Sequence, residues 1–343
     1  MKISENDLQR ETDRLFKKLK KVNWSKTDCA LIAPVTIEIN RLKKEKNAII
    51  LAHSYLTPDV MYGVADFIGD SYGLSRQAQK TKAKTILFCS VHFMAETAKI
   101  LNPKKTVLVP TVAGCSLAES ITPKDVRDIK KKYPEAAVVC YVNTTAAVKA
   151  ECNACCTSSN ALRIVEGLPQ KKIIFLPDEL MAKNLQPLTR KTLISWTGRC
   201  IVHEKFSPKT IDAVRKGYPG VKILAHLECA PEVIEKVDMA GGTEGMIQYV
   251  KNHKAKSFML VTECGLTDRM RIEMPTKKMV GACALCPYMK QITLRDILLA
   301  LKSPRKDQII ELPPGILRKA KRALDRMIRI TEKNPKSKTR NKF

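Results

Sequence analysis

The chain has 343 residues, 44% of them hydrophobic and 28% charged, so it is long enough for two or three domains with separate cores and is not of a disordered or fibrous class. Its formal net charge is +27, but the lysines are dispersed over many helical patterns, which favours a solvated surface or steering of small anionic substrates over a nucleic-acid interface. Because there is no apolar leader core and no run of the ~18 apolar residues that a membrane span needs, we expect a cytoplasmic protein whose 12 cysteines are reduced thiols or metal ligands.

Apolar runs of strand length alternate with helical patterns after a charged amino-terminal segment, residues 1–29, which predicts a helical extension. In chain order the runs lie at 49–52, 85–89, 106–110, 137–140, 172–176, 193–196, 221–225, 257–261 and 278–280. They are rich in Ile, Val and Leu, which is typical of parallel strands covered by helices on both faces. The sequence therefore predicts an α/β fold with parallel sheets.

One unit occurs three times along the chain. At an offset of 85 residues, segment 122–134 aligns with 207–219, and each begins with Ser or Thr followed by Pro, the pattern of a capped helix start. The same offset pairs Cys115 with Cys200, Tyr141 with His226, Asn143 with Glu228, and Ser158 with Thr243. An offset of 86 then carries Cys200 onto Cys286 and Ser207 onto Thr293.

The repeat predicts three similar αβα domains, each Rossmann-like with a parallel sheet. We expect the first to cover residues 30–115, completed by 288–330, the second to cover 116–200, and the third to cover 201–287. Residues 334–343, rich in Lys and Arg without apolar periodicity, predict a basic, disordered tail. If the three domains close around a pseudo-threefold axis, one cysteine from each converges at the centre.

Polar residues follow the first strand of each repeat, and Cys115, Cys200 and Cys286 follow the third. In parallel α/β sheets a ligand site lies outside the carboxyl ends of the strands, so these residues share one rim. Three convergent thiolates suit either zinc or an iron–sulfur cluster. A structural zinc needs a fourth ligand and compact spacing, whereas the two C-x2-C pairs, at 152–155 and 283–286, are far apart in the chain. We therefore favour a cluster and interpret Cys152, Cys155 and Cys156 as small buried residues or spare thiols.

Two other function classes stay open on composition alone. A basic, zinc-stabilised nucleic-acid-binding protein fits the charge and the C-x2-C pairs, but basic and aromatic residues are not clustered. A cluster carrier without chemistry of its own would also use three cysteines. The sequence carries no phosphate loop and no G-x-G-x-x-G or H-E-x-x-H motif, which excludes the nucleotide-binding and zinc-protease classes that depend on them.

A series of motifs between residues 36 and 327 resembles the quinolinate synthase family. In order, they are AHSYL, GDS, VHFMAETAKILNP, GCSLAE, YVNTTAAVKA, CCTSSNA, GRCIVHE, HLE, GGTEGM and CPYMK. The resemblance implies three αβα domains around a pseudo-threefold axis, and a transferase of NAD biosynthesis that condenses iminoaspartate with dihydroxyacetone phosphate to quinolinate, phosphate and water. It also implies a [4Fe-4S] cluster with one open iron that acts as a Lewis acid. An aspartate oxidase or aspartate dehydrogenase is implied as the supplier of iminoaspartate, with no nucleic-acid or membrane partner.

Matching the motifs residue by residue implies a site. The cluster ligands correspond to Cys115, Cys200 and Cys286. The substrate-binding positions correspond to His53, Ser71, Tyr141, Asn143, Ser158, His226, Glu228 and Thr243. Among the residues with catalytic roles, Glu228 is the expected general base, Tyr55 and Tyr141 orient the substrate or relay protons, and His203 lies three residues beyond a ligand cysteine.

Overall fold

The computed structural model describes residues 3–333 and contains three parallel β-sheets flanked by helices, which confirms the predicted α/β class. The predicted tail at 334–343 lies outside the described residues. No helix within residues 3–333 combines the length and the apolar character needed to cross a membrane.

The first sheet follows two long helices and has strand order β2-β1-β3-β4. Its elements are α1 (Glu5–Leu19), α2 (Lys26–Glu45), β1 (Ala48–His53), α3 (Pro58–Gly63), β2 (Phe67–Gly69), α4 (Ser71–Lys80), β3 (Thr85–Cys89), α5 (His92–Leu101) and β4 (Thr106–Leu108).

The second sheet repeats this topology with strand order β6-β5-β7-β8. Its elements are α6 (Ser116–Glu119), α7 (Pro123–Lys132), β5 (Ala137–Tyr141), α8 (Ala146–Lys149), β6 (Ala154–Cys156), α9 (Ala161–Glu166), β7 (Lys172–Leu176), α10 (Glu179–Leu185) and β8 (Thr192–Ser195).

The third sheet again has its first strand, β9, between β10 and β11. The remaining elements are α11 (Pro208–Gly217), β9 (Lys222–His226), α12 (Pro231–Ile234), β10 (Met239–Gly241), α13 (Thr243–Asn252), β11 (Ser257–Val261), α14 (Cys264–Glu273), β12 (Lys278–Met279), α15 (Leu294–Lys302) and α16 (Pro314–Lys333).

The helix that opens each repeat after its cysteine is capped as the sequence predicts. Thr122 accepts a hydrogen bond from the Asp125 backbone, and Thr293 accepts one from Asp296, each within a complete capping box. Ser207 caps α11 in the same way through a backbone N–H two residues beyond Pro208. Such caps satisfy backbone donors that the first helical turn leaves unpaired, so they define where each helix begins.

Each repeat also contains a short edge strand that the apolar runs did not predict. These strands are β2, β6 and β10, of three residues each. The 85-residue offset carries β6 onto β10, so only the repeat could have indicated that these two segments share one structure. A three-residue run is too short to show an alternating or continuous apolar pattern, and such a strand forms because the neighbouring first strand supplies its hydrogen bonds.

The described residues fall into two compact units. One comprises residues 3–113, 264–279 and 285–311, and the other 114–263, 280–284 and 312–333. In the first unit, α1 and α2 pack together around Leu15, Leu19, Cys29 and Ala33, with Ile272 from α14. In the second unit, α16 packs against α8, β6 and α9. The boundaries of three domains and their pseudo-threefold arrangement stay predictions.

Candidate active site

Four buried polar side chains meet near the carboxyl ends of β5 and β9 in the second unit. Tyr141 is the last residue of β5, His226 is the last residue of β9, and Glu228 lies two residues beyond His226. His203 comes from a turn of 3-10 helix at His203–Lys205. Each has at most 4% of its surface exposed, so water screens their charges little.

Glu228 accepts hydrogen bonds at both carboxylate oxygens. The Tyr141 hydroxyl donates to Oε1 at 2.6 Å, and His203 Nδ1 lies 2.9 Å from Oε2. Because an ionised carboxylate only accepts, His203 carries a proton on Nδ1. The other ring nitrogen, Nε2, is 2.9 Å from Thr262 Oγ1, so both edges of the His203 imidazole are held.

His226 stacks on His203 with ring centroids 4.6 Å apart and an interplanar angle of 24°. Its Nδ1 accepts a hydrogen bond from the backbone N–H of Glu228 at 3.3 Å and lies 3.7 Å from Glu228 Oε1. Burial lowers the pKa of His226 to about 4, against the opposing attraction of the Glu228 carboxylate. This imidazole is therefore neutral near pH 7.

Glu228 is the ionised member of the group. Burial by itself raises the pKa of this carboxyl, but the charges of His226 and His203 and hydrogen bonds from His203 and Tyr141 outweigh it. The pKa of Glu228 is therefore held well below its usual range. Because His226 is neutral near pH 7, the donors on His203 and Tyr141 stabilise the carboxylate there.

The loops that carry Cys115 and Cys200 lie side by side. Ser116 Oγ donates to the Arg199 carbonyl at 3.0 Å and accepts from the Ile201 backbone N–H at 3.3 Å. Burial raises the pKa of Cys200, and the charges of Glu228 and Cys115 raise it further. Glu228 and Cys115 therefore disfavour the ionisation of Cys200, and a cation bound beside these groups would relieve that repulsion.

Cys200 also approaches the buried histidine. Its Sγ is 3.2 Å from His203 Nδ1. Cys200, His203 and Glu228 each offer a ligand atom within 4.8 Å of the others, so this group could hold a metal ion. The half-buried thiols of Cys115 and Cys200 are soft donors, which fit an iron–sulfur cluster better than a hard cation.

Three further predicted residues of the second unit lie on the same rim. The Oδ1 atom of Asn143 is buried and has no hydrogen-bond partner within residues 3–333. Ser158 follows β6, and Thr243 begins α13 after β10. A Cβ atom at Gly242 would lie 2.7 Å from Ser158 Oγ, so only a glycine there lets the two rim segments approach so closely.

The first unit holds the remaining predicted residues. Tyr55 donates its backbone N–H to Nδ1 of His53 at 3.2 Å, and the two rings meet edge to face with centroids 4.6 Å apart. Ser71 begins α4, next to its N-cap Asp70. Cys286, half-buried, also belongs to this unit. The approach of these residues to Glu228 and Cys200 stays a prediction.

Two buried residues in the surroundings of Glu228 were not predicted. Asn184 on α10 donates to the carbonyls of Leu227 and Cys229 at 2.8 and 2.7 Å, which holds the backbone on both sides of Glu228. Asp178 is fully buried, and burial together with the Glu228 charge raises its pKa well above the usual range.

Asp178 has an acidic counterpart in the next repeat. The 85-residue offset carries Asp178 onto Glu263, and both side chains are fully buried. An acidic residue at the same position of two repeats could therefore have identified Asp178 as a candidate site residue. Asn184 and Thr262 had no such signal, because only the folded chain shows which backbone or ring atoms they reach.

Comparison with known proteins finds a family model and individual relatives that are all quinolinate synthases. The family model described as quinolinate synthetase A protein matches residues 37–329. Quinolinate synthase 1 of Mesorhizobium japonicum is 45% identical over 317 residues, covering 92% of this chain and 96% of that protein. The quinolinate synthases of Sinorhizobium fredii and Caulobacter vibrioides are both 46% identical, covering 95% and 86% of this chain and 90% and 82% of their own lengths.

Proposed function

Because the chain belongs to the quinolinate synthetase A protein family, we propose that it is a quinolinate synthase that condenses iminoaspartate with dihydroxyacetone phosphate, releasing phosphate and water. The observation that carries this proposal is the buried, ionised Glu228 at the strand rim beside Cys200, with a tyrosine and a histidine on its two oxygens. Iminoaspartate has to come from oxidation of aspartate, by an aspartate oxidase or an aspartate dehydrogenase.

Cys115, Cys200 and Cys286 are the proposed ligands of a [4Fe-4S] cluster. The adjacent loops of the first two support this, as does the anionic character that Glu228 adds to the thiol pair. Three protein ligands leave one iron open, and when bound the cluster would supply a Lewis acid for a hydroxyl or carboxylate oxygen.

Glu228 is the proposed general base. In the resting site its low pKa makes it a weak base, because Tyr141 and His203 both donate to it. The substrates carry carboxylates and a phosphate, whose negative charge raises the pKa of a neighbouring carboxylate. Substrate binding would therefore bring the basicity of Glu228 closer to the working pH, and a proton taken at Oε1 lies within reach of the Tyr141 hydroxyl.

Neutral donors and acceptors at the rim are suited to orienting the substrates. The Oδ1 atom of Asn143, which has no hydrogen-bond partner among residues 3–333, offers a buried acceptor for an imine N–H or a hydroxyl. Thr243 and Ser71 lie at the amino ends of ten-residue helices, where backbone N–H groups and the helix dipole favour anionic groups. Neutral His226 can donate from Nε2 without adding charge.

Anaerobic reconstitution tests the proposal. Protein purified without oxygen and supplied with iron and sulfide should form quinolinate from iminoaspartate, generated in place, and dihydroxyacetone phosphate. Iron, sulfide and zinc are measured on the same sample. Iron-loaded protein that forms no quinolinate would refute the proposed reaction, and a colourless zinc protein would favour the alternative of a zinc-stabilised module.

A further inference from the structure

Three cysteines outside the proposed cluster ligands lie together in the second unit. Cys140 Sγ and Cys155 Sγ are 3.6 Å apart and within hydrogen-bonding range. Cys152, just beyond α8, interacts with the same Cys140 thiol and donates to the Val148 carbonyl at 3.1 Å. Cys140 is therefore the shared neighbour of two other thiols.

The strand register allows one of these pairs to become covalent. In the parallel pairing of β5 with β6, Cys140 lies opposite Cys155, and Tyr141 lies opposite Cys156. Neighbouring strands are about 4.8 Å apart, within the range of roughly 4.4 to 6.8 Å between the Cα atoms of a disulfide. The two sulfurs need to close by about 1.5 Å to reach bonding distance. Cys156 points to the opposite face of the sheet, because side chains alternate along a strand.

The surroundings of Cys140 favour its thiolate. Hydrogen bonds from Cys152 and Cys155 lower the pKa of Cys140, and the positive charge of Lys149 lowers it further. Lys149 is fully buried and donates to the carbonyls of Val142 and Thr144. The thiolate is the attacking species in thiol chemistry, so Cys140 is the preferred nucleophile of the three.

Cys152 gives this buried group a route to solvent. Cys140 and Cys155 are fully buried, whereas Cys152 is half-buried and the next residue, Asn153, is exposed. A small reagent therefore reaches the group from the side of Cys152. Oxidation of a thiol that lies beside a second thiol gives a disulfide instead of a higher oxide.

We propose that Cys140, Cys152 and Cys155 form a thiol–disulfide site that small hydroperoxides oxidise. The Cys140 thiolate attacks the hydroperoxide, giving a sulfenic acid on Cys140 and the corresponding alcohol, or water when the oxidant is hydrogen peroxide. The thiol of Cys155, 3.6 Å away, or that of Cys152 then attacks the Cys140 sulfur. The departing hydroxide takes the proton of the attacking thiol and leaves as water, so a disulfide of Cys140 remains.

Peptide mapping tests this directly, because trypsin separates the partners. Cleavage after Lys132, Lys149 and Arg163 places Cys140 on peptide 133–149 and the other three cysteines on peptide 150–163. Anaerobically purified protein is treated with one equivalent of hydrogen peroxide, its remaining thiols are alkylated in denaturant, and the digest is analysed by mass spectrometry without reductant. The proposed cluster ligands lie on other tryptic peptides, so their oxidation does not enter the readout.

We expect the two peptides to become linked, and the link to disappear after treatment with dithiothreitol. Cys140→Ser should abolish it, whereas the matched control Cys156→Ser should leave it unchanged. In Cys152→Ser the link should still form and join Cys140 to Cys155. An unlinked peptide 133–149 in the oxidised parent protein would overturn the proposal, as would fragment ions that locate the link at Cys156. The parent and the Cys156→Ser control decide the question even if Cys140→Ser does not fold, and neither requires the proposed enzymatic activity.

Discussion

Replacing Glu228 by Gln removes its basicity and keeps its size. The glutamine carbonyl still accepts the Tyr141 hydroxyl, which lies 2.6 Å from Oε1 in the parent. Its amide faces His203 Nδ1, and this contact survives if the imidazole proton moves to Nε2 and donates to Thr262 Oγ1, 2.9 Å away. Two charge-assisted hydrogen bonds, which contribute about 1.5 to 3 kcal/mol each to stability, are replaced by neutral ones that contribute about 0.5 to 1.5 kcal/mol each. This loss is offset in part because the variant no longer buries a charged group. We expect the free energy of unfolding to change by no more than about 2 kcal/mol.

Turnover should respond far more strongly than stability. If Glu228 is the general base, quinolinate formation by the Glu228→Gln protein should fall by roughly 100-fold or more, the usual scale for such a group. The assay is anaerobic quinolinate production by reconstituted protein, with iron content and thermal unfolding measured on the same sample. Glu204→Gln is a matched control, because Glu204 is an exposed carboxylate in the same short helix as His203.

Three outcomes separate the possible roles of Glu228. Near-normal turnover in the glutamine variant would refute the assignment as general base. Loss of iron together with activity would instead mean that the carboxylate supports the cluster. An equal loss in the Glu204→Gln control would show that the effect is not specific to the buried site.

The remaining predictions concern the cluster, oxygen and pH. Alanine at any proposed cluster ligand should abolish iron and sulfide binding, whereas alanine at Cys152, Cys155 or Cys156 should leave it intact; a cluster retained in Cys200→Ala would contradict the ligand set. Activity should vanish in air and return on anaerobic reconstitution, and full activity in metal-free, air-exposed protein would exclude cluster catalysis. Burial lowers the pKa of His226 from 6.5 to about 4, so the unfolded chain binds the extra proton between these values. The free energy of unfolding should therefore fall as the pH drops from 7 to 4, by an amount on the order of 3 kcal/mol, and His226→Gln should flatten this dependence in denaturant titrations; equal pH dependence in both proteins would contradict it.

Much of the fold followed from local pattern. Predicted runs at 85–89, 172–176 and 257–261 coincide with β3, β7 and β11, because a buried parallel strand needs a continuous apolar segment. Helix starts at Pro123 and Pro208 followed from the Thr or Ser cap before each proline, since capping uses neighbouring residues. The edge strands β2, β6 and β10 were missed because three residues carry too little pattern and depend on a strand elsewhere in the chain.

The repeat offset by itself assigns Tyr141 and His226 to corresponding strand ends, and Glu228 to the turn after the second of these strands. It did not indicate that Tyr141 and His203 would donate to the two oxygens of one carboxylate. The spacing of the repeats predicts which residues follow the carboxyl ends of strands. Because parallel strands of one sheet end at the same edge, it also predicts that these residues lie along that edge. Hydrogen-bond partners, the neutral state of His226 and the burial of Asp178 depend on which surfaces pack together, and only the tertiary structure decides that, since desolvation and charge act through space and not along the sequence.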